Sequence, residues 1–205
     1  MTELADLLRR GAAQLEIALT AEQEEKLLAY VALLHKWNKA YNLTAIREPR
    51  DMVVRHLLDS LAVLPWLSEA ETLDVGTGAG VPGIVLAVMR TEQNFVLLDS
   101  NGKKTRFVRQ AALALGLQNV TVVQSRVEAY EQAVPQVIAR AFASLPDMLA
   151  LLGHLVLEEG CLLAMKAAQA EDEIAQAPSG WQFETKALQV PFLNEQRELV
   201  IVQTA

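Results

Sequence analysis

Cysteine occurs once in this chain of 205 residues, at Cys161. A single thiol cannot close an internal disulfide, so the fold must stand on its core alone. No run of about 18 apolar residues occurs, which excludes a membrane-spanning helix by hydropathy. The first ten residues carry Glu3 and Asp6 and lack an apolar stretch with a cleavage site, so no signal peptide is expected. Together these absences point to the cytosol. Histidine is scarce too. His35, His56 and His154 have no metal-ligand spacing among themselves or with Cys161, so no metal is expected. There is no Gly-Lys-Ser/Thr, which disfavours nucleoside triphosphate hydrolysis. No internal repeat, low-complexity tract or long linker interrupts the chain.

Positive charge is in short supply. Eighteen Lys and Arg face twenty-five Asp and Glu, a formal charge of −7. Such a balance argues against general nucleic-acid binding, which depends on neutralising phosphates. The basic residues are unevenly spread, however. Between Ser100 and Val127 lie Lys103, Lys104, Arg106, Arg109 and Arg126, and no acid. The stretch is either a solvated helix face or a patch that meets an anionic partner.

Glycine is concentrated where it matters. Thr72-Leu73-Asp74-Val75 reads as a short apolar strand, and Gly76, Gly78, Gly80 and Gly83 follow within eight positions. An apolar helix is expected from Pro82 to Met89, with proline at its first position. Strand, tight turn and helix N-terminus together form a nucleotide-binding turn. Before it the pattern is helical: Glu3 to Arg10, Thr20 to Tyr41 with a capping box from Thr20 and Gln23, and Pro49 to Leu64. After it strands and helices alternate. Strands are expected at Phe95–Asp99, Val120–Gln124, Gln136–Ala139 and Gly160–Met165. Helices are expected at Lys103–Leu115 and Leu145–Leu157, with a short acidic segment at Glu171–Ala175. Phe183–Val190 and Glu198–Gln203 are expected to pair as an antiparallel hairpin. The alternation implies an α/β fold with a Rossmann-like, mostly parallel sheet. The organisation expected is one domain over residues 1–205: a helical extension over 1–68 packed on a core over 69–205.

Gly78-x-Gly80-x-x-Gly83 matches the dinucleotide fingerprint, and Asp99 lies where a carboxylate would grip ribose hydroxyls. Asp74 argues for a different ligand. A carboxylate two residues before the first glycine would repel a pyrophosphate but suit a cation. S-adenosylmethionine carries an ammonium, a sulfonium and an adenosine, and no phosphate. The spacing Asp-x-Gly-x-Gly-x-Gly is closer to Rossmann-like methyltransferases than to dehydrogenases. Asp74 and Asp99 also have plain structural uses as strand-end and helix caps.

Six ordered strings then resemble one family. His35-Lys36-Trp37-Asn38-Lys39-Ala40-Tyr41-Asn42-Leu43-Thr44 and Arg55-His56-Leu57-Leu58-Asp59-Ser60 precede the glycine turn. Leu97-Leu98-Asp99-Ser100, Gln124-Ser125-Arg126-Val127-Glu128 and Ala139-Arg140-Ala141-Phe142-Ala143-Ser144-Leu145 follow it. With the turn, they are similar to the GidB/RsmG family (glucose-inhibited division protein B), which usually has proline where Ala79 stands. The resemblance implies an S-adenosylmethionine-dependent methyltransferase acting on N7 of one guanosine in 16S ribosomal RNA. It implies Gly76, Gly78 and Val81 on the cofactor turn, Val127 and Glu128 at the adenine, and Arg140 at the reacting end as the catalytic residue. The partner would be 16S ribosomal RNA or the small ribosomal subunit, met by a monomeric cytoplasmic enzyme without metal or membrane.

The chemistry agrees with the residues. Guanine N7 has a lone pair and no proton, so methyl transfer to it needs alignment and no general base. The Asn/Asp-Pro-Pro-aromatic string of many amino-methylating enzymes is absent after the fourth strand. Arg140 could donate to guanine O6 or orient the cofactor carboxylate, or simply pair with Asp74 or Glu128. Phe142 could stack on an unstacked base or belong to the core. The five basic residues are expected to converge at the active-site mouth, with Lys36, Lys39 and Arg55 as further RNA contacts, and His56 is a candidate beside the pocket. Three rival readings stand: a methyltransferase for another substrate, an S-adenosylmethionine-binding ribosome-assembly factor, and a nicotinamide oxidoreductase.

Overall fold

The computed structural model describes residues 2–140, 143–167 and 170–204. Helices come first. α1 spans Thr2–Gln14 and α2 spans Ala21–Tyr41. The capping box forms as expected: Gln23 N donates to Thr20 Oγ1 at 3.1 Å, and Thr20 N donates to Gln23 Oε1 at 2.9 Å. Asn42 ends α2 in the left-handed conformation (φ 50°) that short polar side chains tolerate.

The helix expected over Pro49–Leu64 differs from a regular one. α3 (Pro49–Met52) runs into a π turn over Val53–Leu58, continues as α4 (Asp59–Leu61), and a 3₁₀ turn follows at Leu64–Trp66. Pro65 lies in that last turn, where the chain can no longer continue an α-helix.

Seven strands follow: β1 Thr72–Val75, β2 Phe95–Asp99, β3 Val120–Gln124, β4 Val134–Arg140, β5 Val156–Ala167, β6 Trp181–Leu188 and β7 Arg197–Thr204. Between them lie α5 Gly83–Met89, α6 Gly102–Ala114, α7 Leu145–Leu152 and α8 Ala170–Ile174. The sheet order is β3-β2-β1-β4-β5-β7-β6. β1 to β5 pair in parallel, whereas β7 is antiparallel to both β5 and β6. This is the expected mostly parallel sheet with a C-terminal hairpin. The helix expected to Leu157 stops earlier: at Gly153 the chain tightens into a 3₁₀ turn, and β5 begins at Val156. α5 starts at Gly83 with Pro82 as its N-cap, one residue later than expected.

Side chains alternate across the sheet, and the alternation decides what meets what. Leu73, Val75, Val96, Leu98, Val137 and Ala139 enter the apolar cluster under α7. Phe95, Leu97, Ile138 and Leu199 enter the other cluster, shared with Leu8, Leu27, Leu34, Leu57 and Leu61 of the N-terminal helices. The N-terminal helices and the sheet therefore share one core. On β1 and β4 the same parity turns Asp74 and Arg140 toward those helices. β1 and β4 are also neighbours where the strand order changes direction, and ligands of open α/β sheets bind at such a point, outside the carboxyl ends of the strands.

Candidate active site

The turn after β1 is a closed hydrogen-bonded unit. Gly76, Gly78 and Gly80 take φ of 68°, 60° and 92°, which glycine adopts without a side-chain penalty. Gly76 N and Thr77 N both donate to Leu98 O, at 2.8 and 3.0 Å. Gly78 N donates to Asp99 Oδ2 at 2.9 Å. Gly80 N and Val81 N both donate to Thr77 O, at 2.9 and 3.0 Å. Gly83 N donates to Asp74 Oδ2 at 2.8 Å, and Thr77 Oγ1 donates to the same oxygen at 2.7 Å. These amides already have partners inside the protein. They are not free to cradle a pyrophosphate, as a dinucleotide turn requires.

Asp74, expected to face the ligand, is wholly buried beneath the turn. Burial raises its pKa to about 6, against the hydrogen bonds from Thr77 and Gly83 and the charge of Arg140, which lower it. Its observed role is to hold the turn from below. Tyr30 holds it from the N-terminal side. The Tyr30 hydroxyl, fully buried on α2, donates to Ala79 O at 2.8 Å, and burial pushes its pKa up. Sequence reading passed over Tyr30, which is indistinguishable by spacing from an ordinary core aromatic.

Beside the turn lies a cleft of about 450 Å³ lined by Gly76, Asp99, Ser100, Val127, Glu128 and Arg140, among others. Asp99 is half-exposed, and its second oxygen accepts from Asn101 N at 2.8 Å. Each carboxylate oxygen retains a further lone pair for a hydroxyl donor. Val127 and Glu128 sit on a 3₁₀ turn directly after β3. A second cleft of about 170 Å³ shares Gly76, Lys104 and Arg140 with the first and adds Thr44, His56, Gly78 and Val81. A third, of about 660 Å³, opens between the π turn and the ends of β5 and β7. Arg140 lines all three.

Arg140 is held by the π turn. Its Nη1 donates to Arg55 O at 2.9 Å and to Asp59 Oδ2 at 3.0 Å. The pairing weighed from sequence, with Asp74 or Glu128, is not the one formed: the parity of β4 aims Arg140 at the N-terminal layer, where Asp59 stands. Asp59 is only 5% exposed. Its Oδ1 makes no hydrogen bond and has Arg197 Nε at 3.6 Å. Arg140 Nη2 lies 3.4 Å from His56 Nδ1. The same Nδ1 lies 3.2 Å from Arg55 O, a carbonyl that only accepts, and Nε2 faces Thr44 Oγ1 at 3.1 Å. Burial, reinforced by the charge of Arg140, pushes the His56 pKa down to about 3. His56 is therefore a neutral neighbour of Arg140.

Three comparisons bear on what this site serves. Residues 23–200 match the family model for GidB, rRNA small subunit methyltransferase G. The chain belongs to this family. Relatives named ribosomal RNA small subunit methyltransferase G agree along its length. The protein of Marinobacter nauticus is 49% identical over 97% of this chain and 94% of its own. That of Shewanella amazonensis is 50% identical over 96% and 97%. Among solved structures, magnesium protoporphyrin IX methyltransferase of Synechocystis aligns with a TM-score of 0.63 at 16% identity, over 91% of this chain and 99% of its own, and shares the fold.

As a GidB-family methyltransferase the chain uses S-adenosylmethionine. The cleft fits a ligand with ribose hydroxyls: the amides of Gly76, Thr77, Gly78, Gly80, Val81 and Gly83 are spent inside the turn, and Asp99 offers acceptors. The basic residues are distributed differently from expectation. Lys104 and Arg126 line the cofactor cleft. Lys103, Arg106 and Arg109 line a separate groove on the outer side of α6. Helical spacing causes the split, because Lys104 lies one position round from the Lys103–Arg106–Arg109 stripe. Arg55, counted with the RNA contacts, is paired with Glu195 at 2.6 Å. Lys36 and Lys39 are exposed on α2. Phe142 lies outside the described residues. Thr44, Asp59 and Arg197 were not expected at the site, although Thr44 and Asp59 belong to the GidB-like strings.

Proposed function

We propose that this chain transfers a methyl group from S-adenosylmethionine to N7 of a guanosine in 16S ribosomal RNA, as a cytoplasmic monomer, with Arg140 at the reacting end. The observation that carries this reading is the setting of Arg140. It forms the wall common to the cofactor cleft and the larger cleft beside it. The imidazole next to it, His56, is too weak a base at pKa about 3 to take a proton at neutral pH. Such a site suits a nucleophile that has no proton to lose.

Bound S-adenosylmethionine supplies a methyl group on a positively charged sulfur. Asp99 accepts ribose hydroxyls, Gly76, Gly78 and Val81 let the ligand lie close to the turn, and Asp74 braces that turn from beneath. Val127 and Glu128 flank the adenine. Arg140 donates to guanine O6, next to N7, and so sets the approach of the base. Asp59 balances the Arg140 charge, which would otherwise oppose the positive charge that the methylated guanine acquires. Lys104 and Arg126 stand on the rim of the cleft, where RNA phosphates enter. Alignment of this kind can contribute up to roughly 7–11 kcal/mol.

Arg140→Ala is expected to abolish methylation of 16S RNA while calorimetric binding of S-adenosylmethionine persists. Near-normal single-turnover rates in the variant would remove Arg140 from the mechanism. Mass mapping of 16S RNA from a deletion strain tests the substrate: one guanosine should lack its methyl. An unchanged map would instead favour an assembly factor or another substrate.

A further inference from the structure

The groove on the outer side of α6 is not used by the chemistry above. It measures about 740 Å³ and is lined by Lys103, Arg106, Arg109 and Leu113 from α6, with Asn101 and Gln124 beside them. None of its lining residues is acidic. Lys103, Arg106 and Arg109 follow at three-residue spacing on the exposed side of the helix, whose opposite side buries Phe107, Val108 and Ala111. They span about 9 Å along the axis. Among the described residues none of the three forms an ion pair, so no carboxylate neutralises the strip. Outside Ser100–Val127 the chain has thirteen basic against twenty-five acidic residues. Three cations at successive turns of one helix face, with no acid lining the groove beside them, present a positive strip to solvent, and Arg109 Nη2 also donates to Val122 O at 3.4 Å.

The groove also leads somewhere. It ends at Asn101 and Gln124, and the cofactor cleft begins at Ser100 and Ser125. The two share no lining residue, yet each chain segment passes from one to the other in a single step. Lys104 and Arg126 stand on the cleft side of that boundary.

We propose that this groove is a second RNA-docking surface, separate from the catalytic cleft, which grips the phosphate backbone flanking the target guanosine. The proposal rests on the reading that the substrate is RNA. The phosphates lie along Lys103, Arg106 and Arg109, and the chain of cations continues through Lys104 and Arg126 to Arg140. Contacts of this kind hold register without reading sequence. They also concentrate the favourable charge of an acidic protein along one track, which limits binding to RNA that presents its backbone along it.

The test compares wild type, K103E/R106E/R109E and the charge-keeping R106K/R109K on unmethylated, deproteinised 16S RNA. Binding is read by fluorescence anisotropy at several salt concentrations, and methylation by initial rates. The triple reversal should raise both the Kd and the KM for RNA about 10- to 100-fold and flatten the salt dependence by up to about three phosphates. Its kcat and S-adenosylmethionine affinity should stay within about twofold, and R106K/R109K should match wild type. If wild type methylates the RNA and the triple variant keeps its Kd, KM and salt slope, the groove is not a docking surface, although the methyltransferase reading stands. Aggregation of the triple variant with unchanged RNA binding would likewise overturn it, and would assign the cations to guarding the exposed edge strand β3. RNA binding by wild type without methylation, lost in the triple variant, would retain the groove and reject the substrate reading. If wild type neither binds nor methylates the RNA, both fall.

Discussion

Asp59 is the residue on which the site turns. A guanidinium has five donors, and its orientation is settled by what accepts from it. Asp59 Oδ2 lies 3.0 Å from Arg140 Nη1, whereas Asp59 Oδ1 has only Arg197 at 3.6 Å. The shorter contact sets Arg140, and the longer one is a looser tie to β7. Asp59→Asn should therefore lower kcat about 10- to 100-fold, since misplacement by about 1 Å has effects of that order. The KM for S-adenosylmethionine should change little. Arg197→Ala should lower kcat no more than about threefold. Steady-state kinetics on 16S RNA decide the ranking, and a kcat for Asp59→Asn within twofold of wild type would show that Arg140 keeps its aim without it.

At the scale of elements, two irregular segments carry the chemistry. The π turn at Val53–Leu58 brings the Arg55 carbonyl to 2.9 Å from Arg140 Nη1, and Ser60 Oγ donates to His56 O at 2.6 Å beside it. Such turns are frequent at functional sites because they redirect backbone groups that a regular helix keeps for itself. The glycine turn is the other segment. A Cβ on Gly83 would fall 2.7 Å from Asp74 Oδ2 and 2.7 Å from Leu97 Cγ. Both neighbours are buried and neither can withdraw. Gly83→Ala should cost roughly 1–3 kcal/mol by overpacking, read as a fall in Tm, and should weaken S-adenosylmethionine binding in calorimetry. Wild-type values for both would mean that Asp74 and Leu97 give way to the added methyl without disturbing the turn.

For the whole molecule, two buried groups pull stability in opposite directions with pH. His56 has a folded pKa of about 3 against 6.5 for the free group, so the unfolded chain binds the extra proton between those values. Its contribution is complete above pH 6.5 and is lost as pH falls toward 3. Asp74 has a folded pKa of about 6 against 3.8, so it favours the folded state as pH falls from 6 to 3.8. Over that shared window the two effects oppose each other. His56→Gln leaves a neutral side chain and removes one of them. Relative to wild type, the variant should gain stability below pH 6.5 by up to about 1.4 kcal/mol per pH unit, measured by urea unfolding between pH 7.5 and 4.5. A difference between the two proteins that does not vary with pH would show that His56 is not held neutral.

The sequence by itself determined the sheet class, the glycine turn, the capping box at Thr20 and the strings that identify the family. These are local signals: periodicity, turn chemistry and short spacings act between neighbours in the chain, so they survive without knowledge of the fold. Element ends were less legible. Leu145–Leu157 keeps a helical apolar pattern past Gly153, although the chain has already tightened there and turned into β5. Only the tertiary structure decided what Arg140 pairs with, that Asp74 lies beneath the turn and not in the cleft, and that the basic residues divide between two sides of α6. Each depends on which side of a strand or helix a side chain leaves, and the first two also on what another element brings there from 49 to 85 positions away. Tyr30 reaches Ala79 and Asp59 reaches Arg140 because the N-terminal helices bury their apolar stripe on the same side of the sheet toward which Asp74 and Arg140 point.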